Sequence, residues 1–326
     1  MLNLVNTITI GNQTFDYTTE IEIESTWDML TDTATMTIPR KFRFEKDGNV
    51  ITNVISGDDP LFKRGDAVTF VIGYGEETAQ RFGGYLTAIS PRNPLEFGFQ
   101  DEMYILKQKT ISKYSEKNVT LTSLLTDIMG DIPFEITQEF TIGKYAITSS
   151  NVAQVLEHLK KNYGVTSYFR DGTLFSGVAY RLKGLDEVKI VEIDMEQFVI
   201  DDSGLSYQRD DDQLIKIRAI SIYPDNTRKE VVVGDDAGGE ITQYFYDVPE
   251  ADLENYANEQ LEKRKFTGFT GSFVTFVNPI VKHGDAVKLI SIKRPDAQGI
   301  YLVKKVTTSS GVNGGRQTIE LDIKIE

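Results

Sequence analysis

Phe62–Gly75 reads FKRGDAVTFVIGYG, and Val281–Lys293 reads VKHGDAVKLISIK. Both stretches set Gly-Asp-Ala-Val behind a basic pair, Lys63-Arg64 in one and Lys282-His283 in the other. The likeness extends past these four letters. Strand-like residues follow, then Gly84-Tyr85-Leu86 in the first copy and Gly299-Ile300-Tyr301-Leu302 in the second. Each copy closes on a strand reaching an aspartate, FGFQD at Asp101 and TIELD at Asp322. The order is turn, strand, Gly-led strand, loop, final strand, written twice. The two copies lie much too far apart for a solenoid or propeller repeat. They read as one β-unit used twice.

Three roles compete for the repeated phrase. Arg64-Gly65-Asp66 spells an adhesion tripeptide, but the second copy has His283 before its glycine, so Arg is not part of what is shared. Metal binding through Asp66 or Asp285 lacks a second carboxylate at ligand spacing. A structural corner accounts for every letter. Gly65 and Gly284 supply a positive φ, Asp66 and Asp285 close the turn with their side chains, and Ala-Val starts a packed strand.

The chain has 326 residues, enough for two or three domains. Its 35 Lys and Arg against 49 Asp and Glu give a net charge of −14, which opposes nonspecific attraction to nucleic acid or anionic membranes. The absence of cysteine excludes disulfides, thiolate nucleophiles and Cys-based zinc sites. The N-terminus lacks the basic and apolar regions of a secretory signal. No apolar run is long enough to span a bilayer, so membrane insertion is not expected.

Around the repeat the chain is strand-rich. EIEIES alternates Ile21 and Ile23 with Glu20, Glu22 and Glu24; TATMTIPR does the same with Ala34, Met36 and Ile38, and Pro39 ends it. KFRFEKDGNV and VISGDDPLFKRGD read as loops and turns. Short strands with turn signals about every ten residues predict a small barrel or sandwich. The middle changes period. Leu121, Leu124, Leu125 and Ile128 form one helix face, with Thr120 as N-cap and Gly130 as stop. Val152, Val155, Leu156 and Leu159 form another, capped by Ser150 or Asn151 and closed by Gly164. A hairpin is expected at Asp171-Gly172. A third helix, at about 249–265, is expected to start with an Asp247/Glu250 capping pair and to bury Leu253, Tyr256, Ala257 and Leu261.

Catalytic chemistry finds little support. His158 reads as a helix-flank residue and His283 as an exposed basic position in the repeated turn. Two such histidines give no triad or metal spacing. Asp201-Asp202, Asp210-Asp211-Asp212 and Asp235-Asp236 read as solvated loop faces, although paired carboxylates across a cleft would suit a glycosidase. Trp27 reads as an interior anchor. Neither a phosphate-binding loop nor a dinucleotide fingerprint is present. No catalytic, cofactor or metal residue is therefore assigned.

Taken in order, TDTATMTIPR, FKRGDAVTFVIGYG, QRFGGYLTAISP, FGFQDEMYILKQK, then a helical middle, then FTGFTGSFVTFVNPIVKHGDAVKLI and GIYLVKKVTT, the chain resembles bacteriophage tail and baseplate hub proteins of the late control D type. Related hub domains belong to type VI secretion spikes. The resemblance implies a β-rich α+β fold with two similar small β-barrel tube domains, at 1–110 and 201–326, flanking a helix-containing middle domain at 111–200. It implies a non-enzymatic homotrimer whose six barrels join a sixfold tail tube to a threefold spike and let DNA pass without specific binding. The implied partners are tail tube or distal tail proteins, a tape-measure protein and a spike carried on a separate polypeptide, because the spike-fused members continue past the second barrel. The implied location is the virion baseplate, assembled in the host cytoplasm. The alternative is a carbohydrate-active or carbohydrate-binding β-rich protein using loop carboxylates.

Overall fold

Alternation in the sequence becomes alternation in burial. Ile21 and Ile23 are buried on one strand face while Glu20 and Glu22 are exposed on the other, and Ala34, Met36 and Ile38 are buried on the next strand. The computed structural model describes residues 3–325 apart from 17, 47–48, 55–60, 91, 178–187 and 296–297, and only the backbone of 42–46 and 49–54.

The first third comprises β1 (Leu4–Ile10), β2 (Gln13–Phe15), β3 (Glu20–Thr26), β4 (Thr33–Ile38), β5 (Lys41–Lys46), β6 (Asn49–Val54), β7 (Ala67–Tyr74), β8 (Glu77–Ser90) and β9 (Leu95–Gln100). They lie side by side as β3-β4-β9-β8-β7-β1-β2-β5-β6. Ile8 and Ile10 of β1 share one buried cluster with Ile21 and Ile23 of β3, around Phe70, Phe97 and Phe99. Strands far apart in the order thus meet over one core, so the sheet curls on itself as a small barrel does. Each such side chain contributes about 1.5–3 kcal/mol on burial. KFRFEKDGNV is not a loop. Its described residues lie on β5 and β6, which pair antiparallel with Lys41 opposite Val54 and Lys46 opposite Asn49. The alternating Phe42 and Phe44 were the strand signal, outweighed in the sequence reading by polar neighbours. The following VISGDDPLFKRGD segment lies partly outside the described residues.

The middle comprises α1 (Met103–Gln108), β10 (Thr110–Ile111), β11 (Tyr114–Thr120), α2 (Leu121–Met129), β12 (Phe134–Ile136), β13 (Thr141–Ile147), β14 (Ser150–Asn151), α3 (Val152–Tyr163), β15 (Thr166–Arg170) and β16 (Thr173–Gly177). Both expected caps form as reciprocal boxes. Thr120 Oγ1 accepts from Ser123 N at 3.2 Å, and Asn151 Oδ1 accepts from Gln154 N at 2.8 Å. The apolar faces of α2 and α3 are buried in one cluster. Asp171 and Gly172 both take positive φ between β15 and β16, as a tight hairpin turn requires.

The last third comprises β17 (Ile190–Asp194), α4 (Met195–Phe198), β18 (Val199–Asp201), β19 (Leu205–Gln208), β20 (Ile215–Ile222), β21 (Arg228–Gly234), β22 (Gly239–Tyr246), α5 (Glu250–Arg264), β23 (Gly268–Phe276), β24 (Ala286–Ile290), β25 (Gly299–Gly311) and β26 (Gly314–Lys324). Here β18 and β19 pair with β23, which continues to β26, β25, β24 and β17. This second curled unit surrounds its own cluster, including Phe269, Phe273, Tyr301 and Val303.

Strand pairing does not follow the expected boundaries at 200 and 201. β17, placed by sequence in the middle domain, and β18, which straddles the expected boundary, belong to the second β-unit. The β21-β20-β22 sheet and α5, placed in the second barrel, form an insertion beside it. Both faces of β20 are occupied: Ile217 and Ala219 pack with Leu253, Ala257 and Leu261 of α5, while Ile220 and Ile222 join the middle cluster. The α5 cap also differs from expectation. Pro249 is the N-cap and no side chain caps the helix. Asp247 has φ 53° and donates its N–H to Ile222 O, so it ends β22 rather than starting the helix. Tyr256 is exposed and stacks on Phe245 at 5.8 Å instead of entering the core.

Candidate functional site: the joint between the two β-units

The repeated phrase forms the same corner twice. Gly65 has φ 89° and Gly284 φ 78°, which only glycine adopts without strain. Gly65 N donates to Leu86 O at 2.8 Å and Gly284 N to Val303 O at 2.9 Å. Asp66 N donates to Lys63 O and Asp285 N to Lys282 O, both at 3.1 Å. The Asp66 carboxylate accepts from Lys63 N at 2.7 Å, and that of Asp285 from Lys282 N at 3.0 Å. Beyond the corners Ala67 faces Tyr85 and Ala286 faces Leu302. The register therefore equates Gly84 with Tyr301, so the glycines of the two Gly-led strands are not counterparts. A Cβ on Gly84 would lie 2.1 Å from Gln100 O, which explains that glycine by close approach alone.

A continuous ladder joins the units. The outer half of β25 pairs antiparallel with β3, from Lys305 opposite Thr26 to Gly311 opposite Glu20. Thr26 Oγ1 donates to Lys304 O at 2.9 Å, and Lys305 reaches Glu24 at 2.7 Å. Further along, Ser310 Oγ donates to Asn6 Oδ1 at 2.6 Å and Tyr74 OH to Gly315 O at 3.1 Å. Arg81 of β8 donates to Val277 O and to Asn278 Oδ1 across the joint. Val277, which follows β23, is itself part of the first unit's core.

A cleft of about 490 Å³ opens where the two units meet the β15–β16 hairpin. Asp32, Asp101, Arg81, Arg170 and His283 line it. Asp32 accepts hydrogen bonds from Ser25 Oγ and from Thr26 N at 3.0 Å. Asp101 accepts from Asp32 N at 3.1 Å and Met103 N at 3.0 Å. Burial pushes Asp32 up to about 7 against these bonds. Burial first, and the neighbouring Asp32 charge second, hold Asp101 well above the usual carboxylate range. Arg170 forms a 2.7 Å ion pair with Asp285, whose side chain is 1% exposed. That pair docks the hairpin on the second corner.

His283 is not the exposed basic residue that the sequence implied. It is 3% exposed and meets Tyr168 edge-on at 5.0 Å. Burial, with help from Arg170 and Lys282, pushes it down to about 3. The exposure expected of it came from its counterpart Arg64, which is exposed and donates to Thr87 O at 2.6 Å. One corner is covered by its neighbours and the other is open.

The cleft carboxyls are tied to backbone N–H groups, Asp32 to Thr26 in its own loop and Asp101 to Met103 and to Asp32 of the neighbouring loop, so they hold strand ends in place. The expected acidic runs at 201–202, 210–212 and 235–236 do not line this cleft. Among the described residues no cluster of His, Asp or Glu is arranged to hold a metal ion. His158 is exposed on α3, with Nδ1 3.0 Å from Tyr145 OH, and Trp27 is half-buried. Sequence reasoning missed Asp32, Asp101, Arg81 and Arg170. What brings them together is contact across the chain, Asp101 with Asp32, Arg81 with Val277 and Arg170 with Asp285, and no local spacing marks that.

No protein-family model matches the chain, and no curated protein matches it in sequence. Solved structures do match. A tail protein from Neisseria meningitidis MC58 aligns over 99% of this chain and 97% of its own, with a TM-score of 0.64 at 14% identity. The 43 kDa tail protein of prophage MuSo2 from Shewanella oneidensis aligns over 98% of both chains, with a TM-score of 0.59 at 13% identity. The E. coli c3393 protein, a type VI secretion component described as similar to the T4 tail proteins gp27 and gp5, aligns over 98% of this chain and 77% of its own, with a TM-score of 0.59 at 12% identity. Over nearly its whole length this β-rich α+β chain therefore has the fold of phage tail proteins and of a type VI secretion component.

Proposed function

We propose that the chain is the structural hub of a phage or phage-like tail baseplate. Three copies form a ring of six β-units that joins a sixfold tail tube to a threefold spike. The observation that carries this reading is the duplicated unit joined edge to edge by the β25–β3 ladder. A chain holding two similar units, related by one joint, offers a trimer six near-equivalent docking surfaces. The insertion and the helical middle buttress the units from outside. The partners are tail tube or distal tail proteins, a tape-measure protein and a spike, and the role is non-enzymatic. The corners at Gly65-Asp66 and Gly284-Asp285 are structural, and the location is the virion tail.

The net charge of −14 supports a lumen through which DNA passes without sticking. Native mass spectrometry and electron microscopy of the concentrated protein test the reading. A trimer with six units around a channel is expected. A strict monomer or dimer overturns it.

A further inference from the structure

We propose that the open corner at Lys63–Ala67 is a docking site for a β-hairpin turn of another protein, one that carries an arginine beside an aspartate or glutamate. The inference goes beyond the ring reading and does not depend on it.

The covered corner shows such a contact already made inside the chain. Its occupant is the turn of the β15–β16 hairpin. Arg170 Nη2 donates to Asp285 Oδ1 at 2.7 Å, and Lys282 Nζ donates to Asp171 Oδ1 at 2.7 Å. Between these pairs Tyr168 meets the His283 ring edge-on, and Tyr168 stacks in turn on Phe175 across the hairpin at 5.8 Å. Two adjacent residues of opposite charge engage two charges of the corner, and one aromatic ring covers the residue between them.

The open corner repeats the receiving groups. Lys63, Arg64, Gly65 and Asp66 stand at the places of Lys282, His283, Gly284 and Asp285. Lys63 N holds Asp66 Oδ2 at 2.7 Å as Lys282 N holds Asp285 Oδ2 at 3.0 Å. On Asp285 the remaining oxygen takes Arg170. On Asp66 that oxygen has no partner among the described residues, and neither has Lys63 Nζ. The two charges that the hairpin satisfies at one corner are the two left unpaired at the other.

Burial separates the corners in the same sense. Asp285 is 1% exposed, and Ala286 and Val287 are fully buried. Asp66 is half-buried, while Lys63, Arg64, Gly65 and Ala67 are exposed. The backbone bonds of the two turns are the same, so the difference lies in what covers them. Tyr104 borders the open corner. Its OH lies 3.6 Å from a Cβ built on Gly65, but no hydrogen bond joins it to Asp66. It stacks on Tyr85 at 5.6 Å, which gives the site an apolar wall.

These groups define the occupant. A guanidinium suits Asp66, because Arg matches carboxylate geometry. A carboxylate suits Lys63. A wholly acidic or wholly basic segment would set like charges together at one of the two. Arg64 keeps its own bond to Thr87 O, and its exposed guanidinium suits an aromatic ring in the place of Tyr168. A second copy does not supply the turn, because each copy's hairpin sits on its own covered corner. The occupant is therefore a different chain.

The probe is a labelled cyclic peptide of Thr166–Gly177, closed across the pair that these two residues form. Fluorescence anisotropy against the full chain measures its affinity, and hydrogen exchange maps where it binds. Saturable binding is expected, with added protection at 61–68 and none at 281–287. Lys63→Glu sets like charges together and is expected to weaken binding at least about tenfold. An Arg170→Met peptide leaves Asp66 unpaired and is expected to lose at least about as much. Circular dichroism confirms that the Lys63→Glu chain, altered at an exposed side chain, stays folded. Absence of saturable binding overturns the proposal, as does binding that Lys63→Glu leaves unchanged. Added protection confined to 281–287 also overturns it, because the peptide then displaces the chain's own hairpin. Native mass spectrometry of the chain alone tests the other occupant: self-association that Lys63→Glu abolishes would give the corner to a second copy and overturn its assignment to a different chain.

Discussion

His283 Nε2 stands 3.9 Å from the Asp32 carboxylate, and the two residues belong to different β-units. The distance is too long for a hydrogen bond. With His283 pushed down to about 3 and Asp32 up to about 7, the contact at neutral pH is a neutral imidazole beside a carboxyl that is changing charge.

This gives the joint a pH dependence of known sign. Asp32 binds its proton more tightly folded than unfolded, so its contribution to stability is full below pH 4 and is lost as pH rises to about 7. His283 acts oppositely: its contribution is present above pH 6.5 and is lost as pH falls towards 3. Asp32→Asn removes the first slope, relieves part of the upward push on Asp101 and leaves the slope of His283. Stability of the variant relative to wild type is expected to rise from pH 4 to 7, by up to about 4 kcal/mol at ~1.4 kcal/mol per unit. Urea unfolding across that range measures it; a constant difference would contradict the assignment.

Arg170 and Lys282 make ion pairs of equal length, 2.7 Å, with very different surroundings. Arg170→Met leaves Asp285 buried and unpaired and is expected to cost about 3 kcal/mol. Lys282→Met breaks an exposed pair with Asp171 and is expected to cost under ~1 kcal/mol. Denaturant midpoints compare them, and equal losses would deny Arg170 its docking role.

Gly65→Ala and Gly284→Ala test the equivalence of the corners. No atom lies within 3.5 Å of either added Cβ, so backbone strain alone applies, about 1–2 kcal/mol at each. Gly84→Ala meets backbone atoms instead and is expected to destabilise more than both. Thermal unfolding ranks the three.

Arg81 is held across the joint by Val277 O and Asn278 Oδ1. Arg81→Met leaves these acceptors without their donor and is expected to cost about 1–3 kcal/mol. Hydrogen exchange supplies the specific readout: amides of β3 and outer β25 should lose protection while those of α2 and α3 keep theirs.

The duplication, the inward isoleucines of β3 and the two capped middle helices were legible in the sequence, because corners, alternation and caps are local chemistry. Thr120 and Asn151 need only residues three positions away, and Gly65 and Gly284 only their own φ. The joint was not legible. Asp32 is drawn to His283, Arg81 to Val277 and Lys305 to Glu24 by strands whose meeting depends on the curl of whole sheets. The same long-range packing buried His283 where local reading expected exposure, and moved β17 into the second unit. The sequence by itself determined that one corner is used twice. Tertiary structure alone decided which edges those two units share, because edge pairing is fixed by backbone groups that every residue carries and no side-chain pattern announces.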